Sequence, residues 1–348
     1  MQILNFGSLN IDYVYKVDHM VKRGETLSST GRGVFTGGKG LNQSIAIARA
    51  GLPVFHAGNV GRDGDLLLKE LKDSGVDISL VRVLDDQPSG HTVIQNDKDG
   101  DNCILLYGGA NQAVTKDQVD ATLAEFSAGD WLLLQNEINE LPYIVKRAHE
   151  LGMKIVLNPS PMNEKILDLP LKDIELFFVN EIEVIQLIRG LSGRDPEKEL
   201  LSETEGPDWN KIRAELLKLL PEAHFVLTMG SFGAVYLSKD LALYQPAEKV
   251  KAVDTTAAGD TFTGYFLAGM LRGHMAGSSE PTGLAAEAAE KSERAGSAER
   301  AGEPERADIL TDADRIQVSL ALASHAAAIA ITKQGAAPSI PKIEDVET

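Results

Sequence analysis

Short apolar runs alternate with amphipathic stretches along most of this chain, and that rhythm restricts the fold more than any other feature. Ile3–Gly7 precedes Gln43–Ala50, Val54–Asn59 precedes Leu66–Ser74, and Trp131–Gln135 precedes Pro142–Leu151. Lys154–Asn158, Leu176–Asn180, Glu183–Arg189 and Phe225–Met229 continue it. Continuous apolar runs this short read as strands buried on both faces, and strands separated by helices pair in parallel. The expectation is an α/β fold with a mainly parallel central sheet. At 348 residues and 43% hydrophobic, the chain can bury a large core as a single domain, 1–348. Ligands of such sheets sit beyond the carboxyl ends of the strands. Asn10, Asn180, Gly230 and Asp260 each follow an apolar strand candidate, which implies one shared cleft.

Three stretches break the rhythm. Residues 11–36 and 88–108 read as extended pieces with turns, for example Tyr13-Val14-Tyr15-Lys16-Val17 and His91-Thr92-Val93-Ile94. They suggest antiparallel strands outside the main sheet, forming a small β-sheet lid. Residues 273–308 are of low complexity and nearly devoid of aromatic and large aliphatic side chains. Such a composition offers too little burial to offset chain ordering, so a disordered or loosely helical excursion is expected. The formal charge of −17 argues against nucleic acid and anionic membranes as partners. Cys103 is the only cysteine, which excludes an intrachain disulfide and a cysteine-rich zinc site. The first residues show neither a basic region nor a long apolar one, and Ala326–Ile331 is far too short to span a bilayer. A soluble cytoplasmic protein is expected.

The segment Val253–Gly264 carries the chemistry. Small residues make a tight turn, and an apolar helical pattern begins at once with Phe262, Tyr265 and Phe266. The first amides of a helix lack intrahelical partners and form a ready anion site. Ala257, Ala258 and Gly259 are small enough to let a phosphate approach, and Asp260 beside them suits a general base. A second glycine turn, Gly37-Gly38-Lys39-Gly40, opens another helix. Gly33 to Gly40 nearly spells a phosphate-binding P-loop, but Gly40 stands where that motif needs a magnesium-binding hydroxyl, so the P-loop is excluded. Asn10 and Asp12 follow the first strand. A carboxylate accepts two hydroxyl hydrogen bonds in a fork, and an amide both donates and accepts, so the pair suits a vicinal diol.

Together these segments resemble the ribokinase-like (PfkB) family of sugar and nucleoside kinases. The resemblance covers nearly the whole chain. It includes Gly7–Asp12, the Gly37–Gly40 turn, Asn158-Pro159-Ser160-Pro161, Asn180-Glu181-Ile182-Glu183, Thr228–Gly233, Asp254–Asp260 and Thr332–Ser339. It implies a three-layer ribokinase-like fold whose lid also makes a homodimer contact, with a short connection where this chain carries 273–308. It further implies an ATP-dependent kinase, with Asp260 as base and the amides of Ala257, Ala258 and Gly259 forming the anion hole. Asn10, Asp12, Gly38, Lys39, Gly40, Asn42 and Glu137 would bind the sugar, and that set leans toward ribose. Asn180, Thr228, Gly230, Ser231, Gly233, Gly259 and His325 would receive ATP, and Glu183 would handle Mg2+. Asp254, Thr256, Ala330, Lys333, Gly335 and Ser339 would enclose K+. The resemblance leaves open a deoxyribose or nucleoside acceptor, for which Tyr13, Tyr15, Phe35 and Tyr107 could stack a base. It also leaves open a non-catalytic sugar- or nucleotide-binding regulator, against which the retained Asp260 and anion hole argue.

Overall fold

The computed structural model describes residues 1–99, 101–202, 206–272 and 311–347; the low-complexity stretch 273–308 lies outside them. The strands are β1 (Ile3–Phe6), β2 (Asn10–Lys16), β3 (Gly31–Gly37), β4 (Phe55–Gly61), β5 (Asp77–Leu84), β6 (Gly90–Asn96) and β7 (Asn102–Tyr107). They continue with β8 (Trp131–Gln135), β9 (Lys154–Asn158), β10 (Leu176–Asn180), β11 (His224–Thr228), β12 (Ala234–Leu237) and β13 (Ala242–Gln245). The helices are α1 (Lys39–Arg49), α2 (Asp65–Asp73), α3 (Lys116–Leu123), α4 (Leu141–Glu150) and α5 (Glu181–Ser192). The rest are α6 (Glu197–Leu200), α7 (Trp209–Leu219), α8 (Ala258–Leu271), α9 (Asp312–Ile331) and α10 (Ile343–Val346).

The main sheet runs β13-β12-β11-β10-β9-β8-β1-β4-β5, parallel from β11 to β5 with an antiparallel edge at β12 and β13. From β1 the chain builds outward through β4 and β5, then returns to the other side of β1 with β8 and builds outward again. The order therefore reverses between β1 and β8, and a crevice opens beyond their carboxyl ends. Side chains alternate between two cores. Leu132 and Leu134 of β8 join the core under α3, α4, α5 and α7, while Trp131 and Leu133 join the one under α1, α2, α8 and α9. Burial on both faces is why these strands read as unbroken apolar runs.

The smaller sheet runs β3-β2-β6-β7. Its outer pairs are antiparallel, as expected of a lid, but its central pair, β2 with β6, is parallel. Helix α8 is apolar on nearly every side because it packs between α1 and α9. At Gly264 the approach to α1 is so close that a Cβ would lie 2.4 Å from the Ala46 Cβ and 2.9 Å from the Ile47 nitrogen. No helix among the described residues is long and apolar enough to cross a membrane.

Candidate active site

The loop after β1 turns sharply into the lid strand β2, which carries Asn10 and Asp12. Asn10 is buried, and its Oδ1 accepts a hydrogen bond from Asn111 Nδ2 at 2.8 Å. The amide is thereby oriented with its nitrogen as donor. Asp12 Oδ1 accepts from Thr92 Oγ1, directly opposite on β6, at 2.6 Å. Burial pushes the Asp12 carboxyl up to about 6, opposed by the Thr92 bond and reinforced by the charge of Glu137. Gly37 faces the same carboxyl; a Cβ there would fall 2.0 Å from Asp12 Oδ2. Gly38, at φ 95°, adopts a backbone conformation that favours glycine and lets the chain pass from β3 into α1. Gly40 is equally confined, since its Cβ would lie 2.4 Å from the Ser8 nitrogen.

Glu137 lies just beyond β8 and ties these pieces together. Its Oε2 accepts from the Lys39 backbone N–H at 2.9 Å and from the Ser8 hydroxyl. Burial raises its pKa, although the nearby Lys39 charge and both hydrogen bonds oppose the shift. Burial also works against the Lys39 ammonium, but Asp260, Glu137 and Glu183 outweigh it and hold its pKa above the ordinary lysine value. One cation thus sits among three carboxylates drawn from separate elements.

Asp260 occupies the first turn of α8 and is only 6% exposed. Its Oδ2 accepts from Asn42 Nδ2 at 3.0 Å and its Oδ1 from Gln43 Nε2 at 2.8 Å. Both donors lie on α1, so the close α1–α8 contact places the carboxylate. The residue before α8, Ala257, has φ 64°, a left-handed conformation uncommon for a side chain-bearing residue and typical of sites where geometry is imposed. The Ala258 N–H turns back to the Thr255 carbonyl at 3.2 Å, and the Thr261 N–H to that of Ala257 at 2.8 Å. Between them, the amides of Gly259 and Asp260 are the donors best placed for an anion.

These amides open on a cleft of about 220 Å³ lined by Lys39, Asn180, Glu183, Thr228, Ala257, Ala258, Gly259 and Asp260. Asn158, Ser160 and Thr263 also line it. None of the three was singled out in sequence as a site residue, although Asn158 and Ser160 end an apolar strand where polar residues of such sheets gather. Asn180 caps α5: its Oδ1 accepts from the Ile182 and Glu183 amides, and Glu183 Oε2 returns the bond to the Asn180 N–H. Glu183 therefore has a structural duty as well as a place on the cleft. Among the described residues no group of three or more His, Cys, Asp or Glu is placed to hold a metal ion by itself. A divalent ion beside Glu183 would take most of its oxygens from phosphate and water.

Gly230, Ser231 and Gly233 form a tight turn between β11 and β12, outside the lining of that cleft. Gly233, at φ 91°, has no room for a Cβ, which would meet the Gln245 carbonyl at 2.2 Å. His325 is half-buried on α9, with Nδ1 paired to the Glu248 carboxylate at 2.8 Å. Farther along, the Ile331 carbonyl accepts from the Val253 and Asp254 amides at 2.7 and 3.2 Å. Asp254 in turn accepts from Gly335 N–H at 3.0 Å and Thr256 N–H at 2.9 Å. Burial opposes the Asp254 charge, but those bonds outweigh it and keep its pKa low. The structure thus joins the two segments, 254–256 and 330–339, that the sequence assigned to one site. Ser339 is buried there, its hydroxyl donating to Ala336 O at 2.8 Å.

Comparison with known proteins shows a family match. The model of the pfkB family carbohydrate kinases matches residues 2–290. A bifunctional ribokinase/ribose-5-phosphate isomerase A of Fructilactobacillus sanfranciscensis is 35% identical over 269 residues, 76% of this chain. The chain spans only 47% of that relative's length. The ribokinase of Haemophilus influenzae is 29% identical over 272 residues, covering 76% of this chain and 84% of its own. A deoxyribokinase of Salmonella typhi is 28% identical over 273 residues, with the same coverage. Among solved structures, the ribokinase of Cryptococcus neoformans var. grubii serotype A in complex with ADP superposes with a TM-score of 0.76 at 28% identity, covering 99% of this chain and 98% of its own.

Proposed function

Because the chain belongs to the pfkB family and is an ATP-dependent sugar kinase, we propose that it converts D-ribose to D-ribose 5-phosphate. What supports this reading is that Lys39, Asn42 and Glu137 lie around the held carboxylate of Asp260, with Asp12 close enough to Glu137 to feel its charge and Asn10 two residues before Asp12 on β2. Asn10 presents a donor and Asp12 an acceptor, a pair matched to adjacent hydroxyls. A nucleoside would also need an aromatic platform. Strand alternation puts Tyr13, Tyr15 and Tyr107 on the lid face opposite Asp12, where Tyr13 and Tyr107 both pack on His91. Phe35, opposite Asp12 in the register, shares its face. One ring out of four favours a small free sugar.

In this reading Asp260 accepts the proton of the attacking hydroxyl as its oxygen bonds to the γ-phosphorus of ATP and the bond from that phosphorus to the bridging oxygen breaks, releasing ADP. The Gly259 and Asp260 amides, with that of Ala257 at the turn, stabilise the charge on the transferring phosphoryl group, while the Ala258 amide, bonded to the Thr255 carbonyl, shapes the turn instead. Lys39 neutralises charge between the sugar and phosphate sides. MgATP supplies the phosphoryl group, and Asn180, Thr228 and Glu183 would hold it from the α5 side. Gly230, Ser231, Gly233 and His325 are assigned to the nucleotide beyond. Asp254, Thr256, Ala330, Lys333, Gly335 and Ser339 offer an oxygen-rich pair of loops suited to K+, which would stiffen the anion hole. The exposed apolar lid residues Phe35, Ile104, Leu105 and Leu106 support a homodimer through the lid. The test is ADP release over a panel of D-ribose, 2-deoxy-D-ribose, other pentoses and nucleosides. D-ribose should give the highest kcat/KM, ahead of 2-deoxy-D-ribose by about 10–100-fold if a hydrogen bond to the Asp12 charge is lost. A nucleoside or deoxyribose preference would replace the acceptor assignment, and no turnover with any would favour the regulator.

A further inference from the structure

Behind Asp260 lies a chain of buried amides with one fixed polarity. Gln43 Nε2 donates to Asp260 Oδ1 at 2.8 Å and to Asn158 Oδ1 at 3.2 Å. Gln43 Oε1 accepts from Gln135 Nε2 at 2.7 Å, and the same nitrogen donates to Asn5 Oδ1 at 2.9 Å. Asn5 Nδ2 donates to the Gly40 carbonyl at 2.8 Å. Asn158 Nδ2 donates to the Phe178 carbonyl at 2.9 Å. Asn5, Gln43 and Gln135 are fully buried, and Asn158 is 9% exposed.

An amide can usually be turned over with little loss, but here both ends of the chain stop at backbone carbonyls, which only accept. The Gly40 carbonyl fixes Asn5, Asn5 fixes Gln135, Gln135 fixes Gln43, and Gln43 is left with its nitrogen toward Asp260. The Phe178 carbonyl fixes Asn158 with its oxygen toward the same nitrogen. Turning Gln135 over would set oxygen against oxygen at Asn5 and Gln43. It stays as it is although its own Oε1 lacks a partner. We propose that Gln43 is a positioning residue for the catalytic base, and that Gln135 and Asn5 act through it by forbidding the orientation that would turn an acceptor on Asp260. Both carboxylate oxygens then face N–H donors, from Asn42 and Gln43, which hold the plane of the carboxylate and leave no acceptor turned toward it.

This inference rests on Asp260 as the base. The titratable groups around it are Lys39 on α1, Glu137 beyond β8 and, across Lys39, Glu183 on α5, and all stay unchanged in the variants below. Gln43→Met and Gln135→Met keep volume and remove the amide. Sugar and ATP kinetics would be measured against pH, beside Gln118→Met, a buried amide bonded to Asn59 Oδ1 with no link to Asp260. Gln43→Met should lower kcat about tenfold and move the acid limb of the kcat profile up by about one pH unit, with sugar KM nearly constant. Gln135→Met, at a residue that makes no hydrogen bond to Asp260 and does not itself line the cleft, should move it the same way by less. The double variant should match Gln43→Met alone. Gln118→Met should lose stability without moving the limb. Superimposable limbs for Gln43→Met, Gln135→Met and the parent, or additive losses in the double variant, would overturn the proposal. If Gln43→Met fails to fold, the Gln135→Met limb decides alone. Full activity in Asp260→Asn would instead overturn the base assignment.

Discussion

Asp12 and Asp260 are both carboxylates, yet their surroundings differ. Asp12 titrates near pH 6 because burial penalises its charge. If Asp12 binds the sugar as proposed, capture needs its charged form, and sugar KM should rise about tenfold per pH unit below about 6, with kcat at saturation little changed. Asp12→Asn should flatten that dependence. The stability sign is opposite: a folded pKa above the unfolded 3.8 means folded chains bind the proton first, so stability is gained as pH falls through this window. Above it, Asp12→Asn should melt at a higher temperature while binding sugar more weakly, a pair of measurements on one variant. Asp260→Asn keeps the side chain's shape but cannot take a proton, and it sets an amide NH2 against one of the donors Asn42 and Gln43. Its kcat should fall about 10²–10⁴-fold with nucleotide affinity retained, checked by turnover and by ADP titration.

At the scale of elements, the N-terminus of α8 should trade stability for function. A Cβ on Gly259 meets nothing within 4 Å, so it would project into the cleft rather than into protein. Gly259→Ala removes a poor helix former and should raise stability by about 0.5–1 kcal/mol while lowering kcat/KM for ATP, read by thermal melts and kinetics. Strands β8, β9 and β10 match the sequence expectation residue for residue, because burial on both faces leaves unbroken apolar runs. Edge strand β5 (Asp77–Leu84) was not legible, since it mixes exposed and half-buried residues. Helix α1 begins at Lys39, four residues before the expected Gln43, because glycines and a lysine hide a helical start that the β1 loop imposes. Asn42 was legible as a site residue and its neighbour Gln43 was not. Adjacent buried amides look alike in sequence, and only packing reveals which atoms face Asp260. Thr92 and Asn111 were missed for the same reason: each acts by orienting another side chain from a distant strand or turn.

For the whole molecule, the lid and the C-terminal turn give two tests. Phe35, Ile104, Leu105 and Leu106 expose apolar surface, and Leu105 is 70% exposed. If they join two copies, Leu105→Asp should shift the species to monomer in sedimentation, with the melt of the main body little changed. If K+ sits between residues 254–256 and 330–339, turnover should be higher in K+ than in Na+ or Tris at equal ionic strength, with ATP affinity moving less. Equal rates would mean that the Ile331 and Gly335 contacts suffice. In the proposed reading the acceptor side is drawn from residues 8 to 137 and the phosphate side largely from 158 to 339, so the spacing of the two would be a property of the assembled fold. Gly264 lies against Ala46, where α8 bears on α1 with only the Ala46 methyl between. Reacting atoms displaced by about 1 Å can lose about 10² in rate. In that reading the absent Cβ of Gly264 would work as the fixed jaw of a calliper, gauging from deep in the core the gap a phosphoryl group must cross.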